Sequence, residues 1–274
     1  MNLLFAVDDH YVEPMLTTLY SIYKNTGKRD YQVYILQNQP LAAHDKIDRF
    51  LQAMGMTYHP VLIDQDIFKE APVSKRYPET IYYRLLAHYF LPDQLEKILY
   101  LDADILCIND LVPLYETDLG DDLYGAASHA KLTKITDQIN KLRLGNSQAD
   151  HYYNSGVLLM NLKAIRQKVK ADDIFDFIQE NRHQLILPDQ DVLNALYSQY
   201  IYDLPDQVYN YDVRYSKLYE LISEGKWTPE WVVEHGALLH FCEKKKPWQR
   251  KHLDNFGLLY AHYDHKRKLF TNIK

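Results

Sequence analysis

Hydrophobic and polar positions alternate along the first 63 residues in a way that predicts a β-α-β-α-β unit. Residues 3–7, 31–36 and 57–63 are short apolar runs of the kind that form buried strands. Between these runs, apolar residues recur with the helical period, and Gly27 and Gly55 are the stop signals of two helices. This order is typical of a parallel sheet with helices on both faces.

The rest of the chain continues this alternation with less regular patterns. Further apolar runs predict strands at residues 98–101, 123–127, 157–160, 201–204 and 237–241. Helical spacing predicts helices at residues 80–89 and 162–183, and residues 108–115 form a short helix or turn. Residues 67–78 are a polar, proline-marked loop, and the charged residues 131–150 are expected to be a flexible lid or acceptor loop.

Residues 252–270 mix Leu, Phe and Tyr with Lys and Arg and predict a terminal helix. A helix of this composition either packs on the body of the protein or lies on a membrane surface. No strong basic face emerges from the spacing, so the sequence favours packing.

Length and composition describe an ordinary globular protein. The chain has 274 residues, 47% of them apolar and 25% charged, which suits one large α/β domain with a small appendage. A net charge of −6 does not favour a nucleic-acid partner. Two cysteines without ligand-like spacing, and a first segment that reaches Asp8 without a basic or long apolar stretch, indicate a protein of the reducing cytosol.

The first candidate metal-binding residues are Asp102 and Asp104, which follow the apolar run at residues 98–101. Ligands of open α/β sheets bind beyond the carboxyl ends of strands, and two carboxylates one residue apart can converge there on Mg²⁺ or Mn²⁺. An Asp-x-Asp pattern is also common in acidic turns, so the residues leave a metal site and a simple acidic turn both open. No glycine lies between the first strand and its helix, which disfavours a dinucleotide-binding oxidoreductase.

Other positions that could contribute to a site also have structural interpretations. Arg84 can reach a phosphate or sugar, or form a surface salt bridge. Asp189 precedes an apolar helical pattern and resembles an N-cap, while His240 in an apolar strand is typical of a packed core histidine. Gly156, just before a buried strand, indicates that the backbone closely approaches another group.

Six separated segments form an ordered set: residues 5–11 (FAVDDHY), 82–85 (YYRL), 101–106 (LDADIL), 154–158 (NSGVL), 189–194 (DQDVLN) and 240–248 (HFCEKKKPW). Together, in this order, they resemble glycosyltransferase family 8. The resemblance runs from residue 3 to about residue 250 and is strongest to the bacterial retaining α-galactosyltransferases and α-glucosyltransferases of that family.

The resemblance implies an α/β protein with the GT-A fold, a mixed central sheet flanked by helices, and a C-terminal helical extension. We expect a catalytic domain at residues 1–250 followed by a helical tail at residues 251–274. Within the domain, residues 1–106 would mainly bind nucleotide, residues 107–211 would mainly bind donor sugar and acceptor, and residues 212–250 would cover the diphosphate.

The resemblance also assigns roles to single residues. Uracil and ribose would be held by Ala6, Asp8 and His10, although family members often have Asn at the last of these positions. The Mn²⁺ ion, with Mg²⁺ as the alternative, would be held by Asp102 and Asp104, which flank Ala103, and by His240. The diphosphate would be covered by Lys246 and Trp248, and the donor sugar surrounded by Arg84, Asn154, Asp189 and Gln190.

One segment departs from the family pattern. Where many members carry an Asp near the donor sugar or acceptor, this chain has His129. The choice between UDP-galactose and UDP-glucose, and the identity of the acceptor, therefore stay open.

The implied chemistry is transfer with retention of the α-linkage. Retention requires either two inversions or departure and attack on one face. Gln190 matches the position of a nucleophile, but a neutral amide is a poor one, so we favour the front-side route, with Gln190 or Asp189 stabilising the sugar. Asp102 completes the candidate catalytic residues, since the cation it would hold neutralises the leaving UDP.

Two other functions fit part of the pattern. A phosphatase of the haloacid-dehalogenase type also uses a strand-terminal Asp-x-Asp, but on its first strand rather than near residue 100. A non-catalytic nucleotide-sugar-binding protein on the same fold would be expected to lose a metal ligand, whereas Asp102, Asp104 and His240 are all present. The leading prediction is a cytoplasmic hexosyltransferase acting on a glycan, glycolipid or glycoprotein, with at most peripheral membrane contact through its tail.

Overall fold

The computed structural model describes residues 1–27, 30–63, 67–68, 71, 79–129, 151–249 and 254–272, with side chains up to residue 270. The predicted lid or acceptor loop at residues 131–150 lies outside the described residues, and the predicted loop at residues 67–78 is described only in part.

The described strands and helices alternate along most of the chain. The strands are β1 Asn2–Ala6, β2 Tyr31–Gln37, β3 Met56–Leu62, β4 Lys97–Leu101, β5 Ile105–Cys107, β6 Tyr124–Ala127, β7 Val157–Asn161, β8 Ile201–Leu204, β9 Tyr211–Asp212 and β10 Leu238–His240. The α-helices are α1 Val12–Asn25, α2 His44–Ala53, α3 Tyr83–Leu86, α4 Val112–Tyr115, α5 Leu162–Lys168, α6 Ala171–Asn181, α7 Pro188–Tyr197, α8 Asp206–Tyr209, α9 Ser216–Ile222, α10 Pro229–His235 and α11 Asn255–Asn272.

In the described part of the chain, the main sheet has the strand order β3-β2-β1-β4-β7-β6-β8. Its strands are parallel except for β7, which runs against both β4 and β6. Helices cover both faces, and two apolar clusters of buried side chains fill the layers on either side of the sheet. The predicted α/β class and the mixed sheet are therefore confirmed.

The predicted β-α-β-α-β unit is confirmed with shifts of one or two residues at its boundaries. Its strands pair in parallel, as the apolar runs indicate. The stripe of α1 that follows helical spacing is buried, including Met15, Leu19 and Ile22. Burial of this stripe against the sheet, rather than local propensity, is what stabilises the helix.

Two helix predictions were wrong in detail. The single helix expected at residues 162–183 is two helices, because Val169 and Lys170 both adopt extended backbone angles. Val169 is buried in the core, so the break turns the chain while keeping this apolar side chain inside. The helix expected at residues 80–89 is the four-residue α3 between two 3₁₀ turns, Glu79–Tyr82 and Ala87–Tyr89.

A second small sheet, with the order β5-β10-β9, was not predicted in full. The strand β5 follows the Asp102-Ala103-Asp104 turn directly and pairs antiparallel with β10. The other neighbour of β10 is the two-residue β9, which runs parallel to it. Strands this short carry no detectable period, so local pattern could identify only the apolar run at residues 237–241.

Helix α1 supplies hydroxyl groups that hold β5 in place. The Thr18 hydroxyl, fully buried, lies 2.6 Å from the Ile105 carbonyl oxygen and 3.2 Å from that of Ala103. The backbone N–H of Cys107 donates to the Ser21 hydroxyl at 2.9 Å. These side chains therefore satisfy backbone groups of the turn and of β5, as buried backbone polar groups require.

The terminal helix α11 packs on α1, as the sequence favours. Arg267, only 1% exposed, pairs with Glu13 of α1 at 2.9 Å and with Asp264 of its own helix at 2.8 Å. Tyr263 accepts a hydrogen bond from Asn25 at 2.8 Å. Within the described ranges, no helix has both the length and the apolar character needed to cross a bilayer.

We expect Thr18→Val to lower the free energy of unfolding by about 1–3 kcal/mol, because the isosteric side chain leaves a buried carbonyl oxygen without its donor. Chemical denaturation measures the change. The matched control is Thr57→Val, at an exposed position of β3, which is expected to change stability by less than about 0.5 kcal/mol. Equal effects of the two substitutions would contradict the role given to the Thr18 hydroxyl.

Candidate functional site

The sheet topology brings several chain segments to one edge. Strands β1 and β4 are parallel neighbours, and the chain leaves them for opposite halves of the sheet, so their carboxyl ends form a topological switch point. Because β7 is antiparallel to β4, with Val157 opposite Leu101, the Asn154-Ser155-Gly156 turn begins at this same edge. A crevice of this kind is where open α/β sheets bind ligands.

Asp102, Asp104 and His240 converge at this edge. One ligand atom from each lies within 4.8 Å of the other two. His240 Nε2 is 3.3 Å from Asp104 Oδ1 and 3.8 Å from Asp102 Oδ2. Two carboxylates and an imidazole are a donor set that suits Mn²⁺ and also accepts Mg²⁺, so the residues present fit a divalent cation.

Pairing in the small sheet explains how a residue 136 positions away reaches the Asp-x-Asp turn. His240 of β10 lies opposite Ile105 of β5, the residue directly after Asp104. His240 is 3% exposed, so its interpretation as a core histidine is correct about burial but omits its two carboxylate neighbours.

Gly156 closely approaches the convergent side chains, as its position before β7 predicts. A methyl carbon in place of its hydrogen would lie 2.7 Å from Asp102 Oδ2 and would also press on the His240 ring. The Gly156 carbonyl oxygen accepts a hydrogen bond from the Asp102 backbone N–H at 2.8 Å. Glycine at this position therefore lets the turn and the two side chains share one space.

Arg84 is buried, so its interpretation as a surface salt bridge is wrong. Its guanidinium lies 2.9 Å from Asp102 Oδ1 and 3.4 Å from Asp189 Oδ2, and donates to the Ser155 carbonyl oxygen at 2.8 Å. It also stacks 4.3 Å from the centre of the Tyr100 ring. Burial opposes its charge, but Asp102, Tyr100 and Asp189 outweigh this and raise its pKa further above the ordinary value.

Asp189 and Gln190 lie in the first turn of α7, both nearly buried. Asp189 is not the N-cap suggested by the sequence, because the helix is preceded by Leu187. Its carboxylate instead accepts a hydrogen bond from the Ser155 hydroxyl at 2.8 Å and faces Arg84. Burial raises the pKa of Asp189, although the charge of Arg84 acts against this.

Helix α7 has no side-chain N-cap, and the neighbouring Asp191 binds the loop that precedes the helix. The Asp191 carboxylate accepts from the backbone N–H groups of Ile186 and Leu187, at 2.7 and 3.1 Å. From the sequence only Asp189 is predicted as the cap, because the path of the preceding loop, which brings its N–H groups to Asp191, is not readable from the sequence pattern.

Asn154 and Asn210 connect Gln190 with His240 through side-chain hydrogen bonds. Asn154 Nδ2 donates to Gln190 Oε1 at 3.2 Å, and Asn154 Oδ1 accepts from Asn210 Nδ2 at 2.9 Å. Asn210 Oδ1 lies 2.8 Å from His240 Nδ1. Sequence reasoning missed Asn210, because only the pairing of β9 with β10 brings it beside His240.

Lys246 and the segment after it close the site on another side. The Lys246 ammonium donates to Asp104 Oδ2 and, at 2.8 Å, to the Phe241 carbonyl oxygen. Burial raises the pKa of Asp104, but the charges of His240 and Lys246 more than offset this and hold it well below the usual range. Trp248 packs edge-on against Tyr11, with ring centres 6.2 Å apart.

The residues expected to hold the nucleoside lie at the carboxyl end of β1 and directly after it. Ala6 is the last residue of that strand, and the Asp8 carboxylate accepts from the backbone N–H groups of His10 and Tyr11 at 3.0 and 3.3 Å. The His10 side chain is exposed. Ala103, which lies between the two aspartates, has its carbonyl oxygen 3.2 Å from the Thr18 hydroxyl.

His129, the residue expected to depart from the family pattern, contacts Asp206 and Tyr219. Its Nδ1 lies 3.2 Å from Asp206 Oδ2 and 3.3 Å from the Tyr219 hydroxyl. It follows Ser128, which forms a β-bridge with Tyr153 beside the Asn154 turn.

Comparison with known proteins gives the relationships of the chain. Residues 2–252 match the family model described as Glycosyl transferase family 8. The chain is 26% identical over 265 residues to a Lipopolysaccharide 1,2-glucosyltransferase of Escherichia coli, covering 90% of this chain and 73% of that protein. It is 23% identical to General stress protein A of Bacillus subtilis (strain 168), covering 96% and 92%.

A solved structure shares the fold of the chain. A crystal structure of the galactosyltransferase LgtC in complex with donor and acceptor sugar analogs matches with a TM-score of 0.82 and 23% identity, covering 97% of this chain and 96% of that one. At this identity, the likeness shows the fold.

We expect Gly156→Ala to weaken Mn²⁺ binding in the presence of UDP by about 10- to 100-fold, the range typical of changes next to metal ligands. The added methyl group must displace Asp102 or His240. Electron paramagnetic resonance of free Mn²⁺ measures the affinity. Gly27→Ala is the control, since a methyl group there meets nothing within 4 Å. Unchanged affinity in Gly156→Ala would contradict the close approach.

Proposed function

Since the chain belongs to glycosyltransferase family 8 and has the GT-A fold, we propose that it transfers a hexose from a UDP-sugar to a glycan or glycoconjugate, with a divalent cation, and with retention of the α-linkage. The observation that carries this proposal is the convergence of Asp102, Asp104 and His240 at the switch point of the sheet.

The nucleotide half of the site is supported by the ends of the two central strands. Ala6 ends β1, Asp8 and His10 follow it, and Asp102 follows the parallel neighbour β4. A nucleotide lying across the switch point therefore meets the ends of both strands. When bound at Asp102, Asp104 and His240, Mn²⁺ would supply positive charge to the diphosphate as the bond to the sugar breaks. Lys246 adds a second positive charge beside Asp104.

The sugar half of the proposed site is Arg84, Asn154, Asp189 and Gln190. Arg84 binds Asp102 and Asp189 at once, so the cation ligands and the sugar-side carboxylate keep a fixed separation. The remaining hydrogen bonds of this group run through the Asn154-Ser155-Gly156 turn.

The hydrogen bonds of Gln190 and Asp189 favour a front-side route. Gln190 Oε1 accepts from Asn154 Nδ2 and from the Ser155 N–H, so the oxygen that would attack in a double displacement is already engaged and belongs to a weakly nucleophilic amide. The Asp189 carboxylate is engaged by Arg84 and the Ser155 hydroxyl. On the front-side route, these groups orient the sugar and stabilise its developing charge, and the leaving phosphate accepts the proton of the acceptor hydroxyl.

The donor sugar is galactose or glucose. The curated relative is named as a glucosyltransferase acting on lipopolysaccharide, and the structural neighbour as a galactosyltransferase, so the comparisons support a hexose of this pair. His129, held by Asp206 and Tyr219, is the residue at which this chain departs from the family near the sugar or acceptor.

A thermal-shift experiment tests the nucleotide and cation parts of the proposal. We expect UDP and MnCl₂ together to raise the melting temperature of the wild type, and each alone to have little effect, because bound ligand stabilises the folded state. Asp104→Asn should lose this response while remaining folded. Asp121→Asn, at an exposed position, should keep it. A wild type indifferent to UDP and Mn²⁺ together would contradict the proposal.

Slow hydrolysis of the donor, which needs no acceptor, tests the reaction. With MnCl₂, we expect UDP release from UDP-galactose or UDP-glucose well above the rate with UDP-N-acetylhexosamines. Intact-mass spectrometry of the same samples should find no sugar covalently attached to the protein. A trapped adduct on Gln190 or Asp189 would refute the front-side route, and UDP binding without any hydrolysis would favour the non-catalytic binding protein.

A further inference from the structure

A continuous file of side-chain hydrogen bonds joins His240 to Gln190. It runs from His240 Nδ1 to Asn210 Oδ1 at 2.8 Å, from Asn210 Nδ2 to Asn154 Oδ1 at 2.9 Å, and from Asn154 Nδ2 to Gln190 Oε1 at 3.2 Å. The file links the residue on the cation side of the proposed site with the residue on the sugar side. His240, Asn210 and Gln190 are buried, Asn210 completely, and Asn154 is partly exposed.

Two backbone N–H groups determine the direction of this file. A backbone N–H can only donate, whereas each end of an amide side chain either donates or accepts. The Gly156 N–H lies 2.9 Å from one end of Asn154, and the Ser155 N–H lies 3.4 Å from one end of Gln190. Both ends must therefore be oxygens, and the other end of Asn154 must be the donor to Gln190.

The direction then passes through Asn210 to the imidazole. Because Asn154 Oδ1 is an acceptor, the Asn210 group that meets it must be the NH₂ group. The remaining end of Asn210, its oxygen, faces His240 Nδ1, which must carry the hydrogen. The lone pair of the neutral imidazole is then on Nε2, the atom that faces Asp104 and Asp102.

We propose that Asn210 is a positioning residue that holds His240 in the Nδ1–H tautomer, so that Nε2 is presented to the cation, and that ties this orientation to Gln190. The proposal rests on the proposed function for the identity of the cation and the donor. Partners of this kind fix the ring orientation of metal-binding histidines. Asn210 is fully buried, so solvent does not compete with its oxygen for the Nδ1–H in the wild type.

A purely structural role must be separated from this one. The Asn210 backbone N–H also closes α8 by donating to the Asp206 carbonyl oxygen at 3.0 Å. Substitution of the side chain leaves that bond in place but can still lower stability, so stability alone does not test the proposal.

The first test compares the Mn²⁺ affinity of three variants in the presence of UDP, measured by electron paramagnetic resonance. Asn210→Ala should bind about 10- to 100-fold more weakly than wild type. Asn210→Asp keeps an oxygen for the Nδ1–H and should bind more tightly than Asn210→Ala. Asn161→Ala, which loses the three side-chain hydrogen bonds with Gly120, Asp122 and Ala164 at the far end of β7, should keep the wild-type affinity.

The rescuing variant also separates the two ends of the file. In Asn210→Asp, the second carboxylate oxygen cannot donate to Asn154, so the link towards Gln190 is lost while the link to His240 stays. We therefore expect this variant to lower kcat for donor hydrolysis more than it changes KM. Wild-type affinity in Asn210→Ala, or equally weak binding in both Asn210 variants, would overturn the proposal.

The second test reads the tautomer directly and needs no cation. In protein labelled with ¹⁵N-histidine, at a pH high enough to give the neutral imidazole, the His240 signals should have the pattern of a protonated Nδ1. Their absence in His240→Gln identifies them. In Asn210→Ala they should shift towards a mixture of tautomers. A protonated Nε2 in the wild type would refute the inference, whereas a protein with the expected tautomer that binds no Mn²⁺ with UDP would refute only the proposed function.

Discussion

Three carboxylates, those of Asp102, Asp104 and Asp189, share one largely buried region, and the rest of the site depends on how their charge is balanced. Arg84 lies between two of them and Lys246 binds the third, which leaves one net negative charge before His240 is counted. A divalent cation would reverse that sign and leave one net positive charge, which complements a diphosphate. The positive charges of Arg84 and Lys246 are therefore needed to keep the carboxylates ionised, since unpaired carboxylates at this depth would not stay ionised.

The Asn154-Ser155-Gly156 turn positions the charged side chains relative to one another. It offers a carbonyl oxygen to Arg84, a hydroxyl to Asp189 and an N–H to Asn154, and its glycine leaves room for Asp102 and His240. The turn has this position because β7 runs against its neighbours. A parallel strand would bring its amino-terminal turn to the opposite edge of the sheet.

The parts of this protein that could be predicted from sequence are those specified by local pattern. The period of α1 and the apolar run of β4 predict buried elements, and the residues after β4 are identifiable by type alone. The burial of Arg84, the break at Val169 and the position of Asn210 could not be predicted in this way, because each depends on an element distant in sequence. The resemblance to the family associated His240 with the Asp-x-Asp turn, whereas its own surroundings in the sequence indicate only a core residue.

The pairing of β5 with β10 has a consequence for how the protein is made. It joins residues near position 105 to residues near position 240, a long-range contact whose loop-closure entropy delays its formation. Both aspartates leave the ribosome long before the histidine does. The nascent chain therefore carries Asp102 and Asp104 without His240 and Lys246 until its last quarter has been synthesised. Affinity for a divalent ion would then appear only late in folding.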